Sequence, residues 1–199
     1  MADKYKTFAC LAKCETEGRD YLFSLRNRPG AVVVIAVHGG GIEAGTSEIA
    51  DAIAADDLSF YTFQGIKPRR NRNLHITSHR FDEPQCTALV SNAPGVISVH
   101  GEESKRPVVF LGGKDRRMRD SFRDSLTASG FKVEMHKKKN LQGLDQLNIC
   151  NRAVNGWGVQ LELSFGLRRS FFKSLSRNGR LTKTERFDSF VAAVRAATV

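Results

Sequence analysis

Short apolar runs rich in β-branched residues recur along the chain and alternate with amphipathic stretches, the pattern that builds an α/β fold. The clearest strands are predicted at residues 32–37, 96–100, 108–111 and 159–164, with strand-like character also at 21–25, 60–64, 74–77 and 131–135. Helical periodicity predicts 46–55, 84–91, 116–129 and 185–197. In the third of these, Met118, Phe122 and Leu126 recur every four residues and Gly130 can end the helix, so one stripe packs and the arginines face out. Phe187, Phe190, Val191 and Val194 give the last helix a docking face. The turn signal Asn27-Arg28-Pro29-Gly30 predicts a hairpin between the first two strands. A chain of 199 residues suffices for one substantial core, so a single domain over 1–199 is expected: α/β, with a mixed, mostly parallel sheet flanked by helices.

Composition narrows the class without changing it. At 41% hydrophobic and 26% charged residues the chain reads as an ordinary soluble protein. The N-terminal MADKYKTFAC has no long apolar run, so neither a signal peptide nor a membrane span is expected, and synthesis is expected in the cytoplasm. Cys10, Cys14, Cys86 and Cys150 form no CxxC pair and read as free thiols. A net charge of +10 calls for an anionic partner: nucleic acid, an anionic surface or a polycarboxylate. With one tryptophan, three tyrosines and no finger, helix-turn-helix or RNP pattern, nucleic-acid readers have no signature here. The HKKK run at His136–Lys139 reads as a solvated loop.

The chemistry concentrates in VVVIAVHGGGIEAG, residues 32–45. Gly39, Gly41 and Ala44 satisfy a loose dinucleotide pattern, but Gln64 ends the next strand where an acidic ribose binder would stand. HGGG also suits the oxyanion loop of an α/β-hydrolase, yet no GxSxG elbow supplies a serine. Metal ligation is the third reading: His38 and Glu43 are both good zinc donors, and the glycines let the two side chains meet while leaving room for a substrate above them. His100 is the candidate third ligand, because VISVHG repeats the context of VIAVHG and two parallel strands would bring both imidazoles to one carboxyl edge. The bland alternative is two histidines that merely end strands. His75 and His79 are four apart in LHITSH, about 13 Å along a strand, so they do not share an ion; His75 can still line the pocket as a hydrogen-bonding residue. In GVQLELS, Val159, Leu161 and Leu163 share one face and Gln160, Glu162 and Ser164 the other. A carboxylate in so apolar a strand must be paired with an arginine such as Arg168 or Arg169, exposed at a sheet end, or held beside an ion.

Taken in order, HGGGIEAGTSEIADAIA, LHITSHRFDEP, ISVHG, NICNR and GVQLELSFGLR resemble the poly-γ-glutamate hydrolases of phages and bacilli, long labelled phage-related replication proteins, over residues 5–168. The resemblance implies a compact, zinc carboxypeptidase-like fold with one catalytic Zn2+, held by His38, Glu43 and His100, and Glu162 as the catalytic acid/base. Four residues separate the first two ligands instead of the two of carboxypeptidases. The implied reaction is hydrolysis of γ-glutamyl amide bonds by metal-activated water. Free carboxylates along such a polymer account for the basic charge without nucleic acid, and Arg152 beside Asn151 is the candidate bidentate clamp, with Arg168 a second. A monomer with no membrane association is expected, and release by cell lysis would reconcile an extracellular substrate with the missing signal peptide. Two alternatives stand beside this reading: a basic, replication-associated nucleic-acid-binding protein, and a zinc hydrolase for another acidic amide.

Overall fold

In the computed structural model, which describes residues 3–198, the apolar runs become seven strands: β1 (Tyr21–Arg26), β2 (Val32–Gly40), β3 (Ser59–Gly65), β4 (Gly95–Glu102), β5 (Val109–Gly113), β6 (Val133–Glu134) and β7 (Val159–Ser164). They form one sheet in the order β1-β3-β2-β4-β7-β5-β6. The central strands β3, β2, β4 and β7 run parallel; β1 is antiparallel to β3, and β5 is antiparallel to β7 with β6 parallel beside it. The sheet is therefore mixed and mostly parallel. All nine residues of β2 are buried, as a central parallel strand covered on both faces requires.

Among the described residues six helices accompany the sheet: α1 (Phe8–Ala12), α2 (Thr46–Ala54), α3 (Pro84–Ser91), α4 (Arg116–Ala128), α5 (Phe165–Ser170) and α6 (Glu185–Ala196). Side-chain caps fix several starts. Glu83 accepts from the amides of Gln85 and Cys86 ahead of Pro84, Asp115 from Met118, and Thr184 from Phe187. Alternation along the strands divides the core. Val34, Ala36, Ile97, Val99, Leu161 and Leu163 pack against α2, α4 and α6, where Phe122, Leu126 and Phe190 are fully buried. Val33, Ile35, Val37, Tyr61, Phe63 and Val96 face the other way, onto α3 and the 74–81 segment through Leu74, Ile76, Phe81 and Cys86. None of the helices among the described residues is long and apolar enough to cross a membrane.

Three expectations are corrected. The first two strands are not a hairpin, because β3 lies between them. The chain does reverse at Asn27–Gly30, but Ser59 Oγ accepts from the Arg28 amide and donates to the Arg28 carbonyl, while the Arg28 guanidinium holds the carbonyls of Ala55 and Leu58. The turn is thereby wrapped around the start of β3. Residues 74–77 are not a strand: a 3-10 turn at Asn71–Leu74 leads into extended backbone at His75 that pairs with no neighbouring strand among the described residues. The strand predicted at 131–135 shrinks to β6, two residues at the sheet edge.

Candidate metal centre and catalytic carboxylate

The carboxyl ends of β2, β4 and β7 meet at one edge, and the side chains that gather there owe their direction to a bulge. Ala36 faces Thr62 and Gly39 faces Gln64, so Val37 and His38 together oppose the single residue Phe63. Plain alternation would put His38 with Val34 and Ala36 on the face of α2. The extra residue turns it to the opposite face, where its Nε2 lies 2.8 Å from the Ile76 carbonyl oxygen. The chain then passes through Gly39, where a Cβ would run into Ser47 Oγ and Thr62 Oγ1, and Gly40, whose φ of +63° favours glycine. The space beside Gly39 and Gly40 is thus filled by packing, while Gly41, with Asn71 lying over one side of it, lines an open cavity. The Glu43 amide closes the turn on the His38 carbonyl at 2.9 Å.

On β4, Ser98 and His100 share the face of Val96, and on β7 Gln160 and Glu162 share the same side; Ser98 pairs with Gln160, and His100 with Glu162. Three side chains now converge. His38 Nδ1 lies 3.1 Å from Glu43 Oε1 and 3.1 Å from His100 Nδ1, and His100 Nδ1 lies 3.7 Å from Glu43 Oε2. A carbonyl oxygen only accepts, so His38 Nε2 carries a proton and Nδ1 is the nitrogen left to face an ion. His100 Nε2 is held by Ser98 Oγ at 2.8 Å, which lets its Nδ1 do the same. Donors about 2.0–2.1 Å from a tetrahedral ion are about 3.3 Å from each other, so the spacing of these three side chains suits zinc. The Gly101 amide donates to Glu43 Oε2 at 2.8 Å and fixes the carboxylate.

His75 enters the same group: its donor atom lies within 4.8 Å of those of His38 and Glu43. Its ring, however, stacks on His38 at 3.9 Å and 29°. Imidazole lone pairs lie in the ring plane, and two stacked rings cannot aim them at one ion from tetrahedral directions. His100, inclined at 61° to His38, can. The Nδ1 of His75 is instead taken up by Asp3 Oδ1 at 2.6 Å, and its Nε2 lies 3.8 Å from Glu43 Oε1.

The two carboxyls are driven apart. Burial pushes Glu43 up, but the His38 charge and hydrogen bonds with His100 and His38 more than offset it and hold the group well below the ordinary 4.5. Glu162 is pushed up to about 8, first by burial and then by the negative charge of Glu43. Gln160 Nε2 donates to Glu162 Oε1 at 2.8 Å, and Asn148 Nδ2 holds Gln160 Oε1 at 2.9 Å. A pair of carboxyls separated in this way is the arrangement that supplies one fixed anion and one proton carrier.

Arg152, Asn151 and Arg168 are bonded to the chain's own backbone. Arg152 donates through Nε, Nη1 and Nη2 to the carbonyls of Leu147, Phe81 and His79, and the Asn151 side chain is taken up by the Lys114 amide and the carbonyls of Gly143 and Asp145. Both brace the loops, and the carboxylate clamp expected at Arg152 is revised accordingly. Arg168 neither pairs with Glu162 nor stands free; it donates to the carbonyls of Leu163, Ala44 and Glu102.

A profile of the poly-gamma-glutamate hydrolase family matches residues 5–193. The chain belongs to that family. YndL, a UPF0714 protein of Bacillus subtilis (strain 168), is 36% identical over 190 residues, covering 94% of this chain and 75% of YndL. A bacteriophage poly-gamma-glutamate hydrolase superposes with a TM-score of 0.95 at 31% identity, over 99% of this chain and 97% of that one. The zinc-free apo form of YndL superposes at 0.93 with 34% identity, over 99% and 98% of the two chains. For a hydrolase of this family the sequence alone missed Gln160 and Ser98, although each stands two residues before Glu162 or His100 on the same strand face. Asp3 and Asn148 carried no signal: only the folded chain brings them near.

Proposed function

We propose that the protein hydrolyses the amide joining the γ-carboxyl of one glutamate to the α-amino group of the next, with zinc held by His38 Nδ1, Glu43 and His100 Nδ1 and with Glu162 as acid/base. The observation that carries the proposal is the convergence of His38, Glu43 and His100, with contacts of 3.1, 3.1 and 3.7 Å, beside the buried carboxyl of Glu162. A zinc ion bound there supplies a Lewis acid that polarises the scissile carbonyl and acidifies water. Glu162 takes the proton of the attacking water on its carboxylate and passes it to the leaving amine nitrogen. Gln160 pins Oε1 through its Nε2–H, leaving Oε2 to carry the proton. The Gly101 amide holds Glu43 in place, and Ile76 and Ser98 keep the two imidazoles in their orientations, as outer partners of metal ligands do. A net charge of +10 draws the polyanion to the site.

The test is cleavage of γ-linked against α-linked polyglutamate, with and without a chelator, by the wild type and Glu162→Gln. Chelator-sensitive cleavage of the γ-linked polymer alone, lost in Glu162→Gln with zinc content unchanged, is expected. Metal-free protein that cuts equally well, or a Glu162→Gln enzyme within tenfold of wild type, would overturn the assignment; removing a general acid/base costs on the order of 100-fold or more.

A further inference from the structure

A cavity of about 270 Å3 opens beside Gly101, lined by the apolar Ile42, Phe165 and Leu175, by Arg72 and Arg168, and by the carboxylates of Glu43 and Glu103. Arg168 is buried, and among the described residues its guanidinium hydrogen-bonds only backbone carbonyls, so it brings to the cavity wall a positive charge that no carboxylate binds directly. Arg72 stands at the rim. Its loop is braced by Asn71, which accepts from the Lys67 amide at 2.9 Å and donates to the Lys67 carbonyl at 2.8 Å, and Arg70 is held there at φ +61°. The Arg72 Nη1 lies 3.0 Å from Glu103 Oε1, and both side chains are open to solvent, at 55% and 77%. An ion pair so exposed contributes little and is readily exchanged for another carboxylate.

We infer that this cavity receives the glutamyl unit next to the scissile bond, with its methylenes against Phe165 and Leu175 and its free carboxylate on Arg72, and that Glu103 is a built-in competitor that substrate displaces. The inference rests on the polyglutamate reading above and deepens it. A glutamyl unit joins two methylenes to one carboxylate, and the cavity lining likewise combines apolar side chains with two guanidinium groups. Because Glu103 acts only through Arg72, the two positions are not independent.

The test uses a synthetic γ-linked glutamate tetramer. KM and kcat are measured in the zinc-loaded enzyme, and Kd in the zinc-loaded Glu162→Gln protein, for Arg72→Gln, Glu103→Gln, the double variant and Arg69→Gln. Arg69 has the same charge on the same loop but does not line the cavity. Arg72→Gln should raise KM and Kd about tenfold with kcat little changed, the usual worth of one charge-assisted hydrogen bond. Glu103→Gln should lower both roughly threefold. The double variant should match Arg72→Gln, and Arg69→Gln should shift KM less than about twofold, as expected for a screened surface charge. An equal effect of Arg69→Gln and Arg72→Gln, or a Glu103→Gln effect that persists without Arg72, would overturn the assignment. Cleavage by the wild type with KM and Kd moved by neither substitution would sink the cavity inference alone. A tetramer that binds with the expected pattern but is never cut would sink the hydrolase reading alone.

Discussion

Replacing Glu162 by glutamine should stabilise the metal-free protein, and more so as the pH rises. The carboxyl is pushed up to about 8 by burial and by Glu43, against an ordinary 4.5. Between those two values the folded chain holds a proton that the unfolded chain has released, so folding weakens as pH increases. Below about pH 4.5 both states are protonated and Glu162 has no effect; above about pH 8 both are ionised and its destabilisation is complete. At about 1.4 kcal/mol for each pH unit the full effect is on the order of 5 kcal/mol, with roughly 1 kcal/mol expressed at pH 5 and roughly 4–5 at pH 8.5. The amide introduced by Glu162→Gln carries no charge, and its oxygen can still accept the hydrogen bond from Gln160. Glu43, whose titration has the opposite sign, is present in both proteins and largely cancels in the comparison. Urea unfolding in a chelating buffer at pH 5 and pH 8.5 measures the difference. A variant whose gain over wild type grows by about 3 kcal/mol or more between the two is expected. A gain independent of pH would mean that Glu162 ionises like a solvated carboxyl, and the division of labour between Glu43 and Glu162 would fall with it.

Three further outcomes follow from the contacts. His38→Ala and His100→Ala should each abolish tight zinc binding, about one ion per chain in the wild type, while His75→Ala retains it, as read by metal analysis after dialysis. Arg152→Ala should lower the unfolding free energy by about 2 kcal/mol, because three carbonyls lose a charged donor, with KM unchanged; a raised KM at unchanged stability would restore Arg152 as a clamp. Gly39→Ala should destabilise by at least about 2 kcal/mol, since its Cβ would press on Ser47, Thr62 and the Phe63 carbonyl, and should show as a lower Tm with zinc affinity falling in step.

Much of the fold was legible because local rules carried it. The helix 84–91 and the starts of the other three predicted helices coincide with the observed ones, where apolar periodicity agrees with caps such as Asp115 and Thr184. Strand pairing was not legible in the same way. Asn27-Arg28-Pro29-Gly30 encodes a reversal, but which strand fills the space after the reversal is decided by Ser59 gripping Arg28, a contact 31 residues away in sequence. LHIT has the composition of a strand and becomes a loop because Arg72, two residues before Leu74, already bonds the His75 amide in a 3-10 turn, and the Ile76 carbonyl faces His38 rather than a ladder partner.

The site divides along the same line, and His38 shows where. Reading VIAVHG and VISVHG as equivalent strand ends brings both imidazoles to one edge, and the edge is the one observed. An edge has two faces, though. His100 shares the parity of Val96, while His38 shares the parity of Val34 and Ala36, whose side chains lie on the opposite side of the sheet. On regular strands the two rings would leave the edge in opposite directions and could hold nothing between them. They meet at 3.1 Å because one extra residue enters β2 between Ala36 and Gly39. The glycines after His38 then acquire a specific purpose: Gly39 lets the bulged strand close against Ser47 and Thr62, and Gly40 turns through a positive φ toward Glu43. What joins His38 to His100 in this fold is the bulge, and a substitution that straightened it would separate the two imidazoles without touching either.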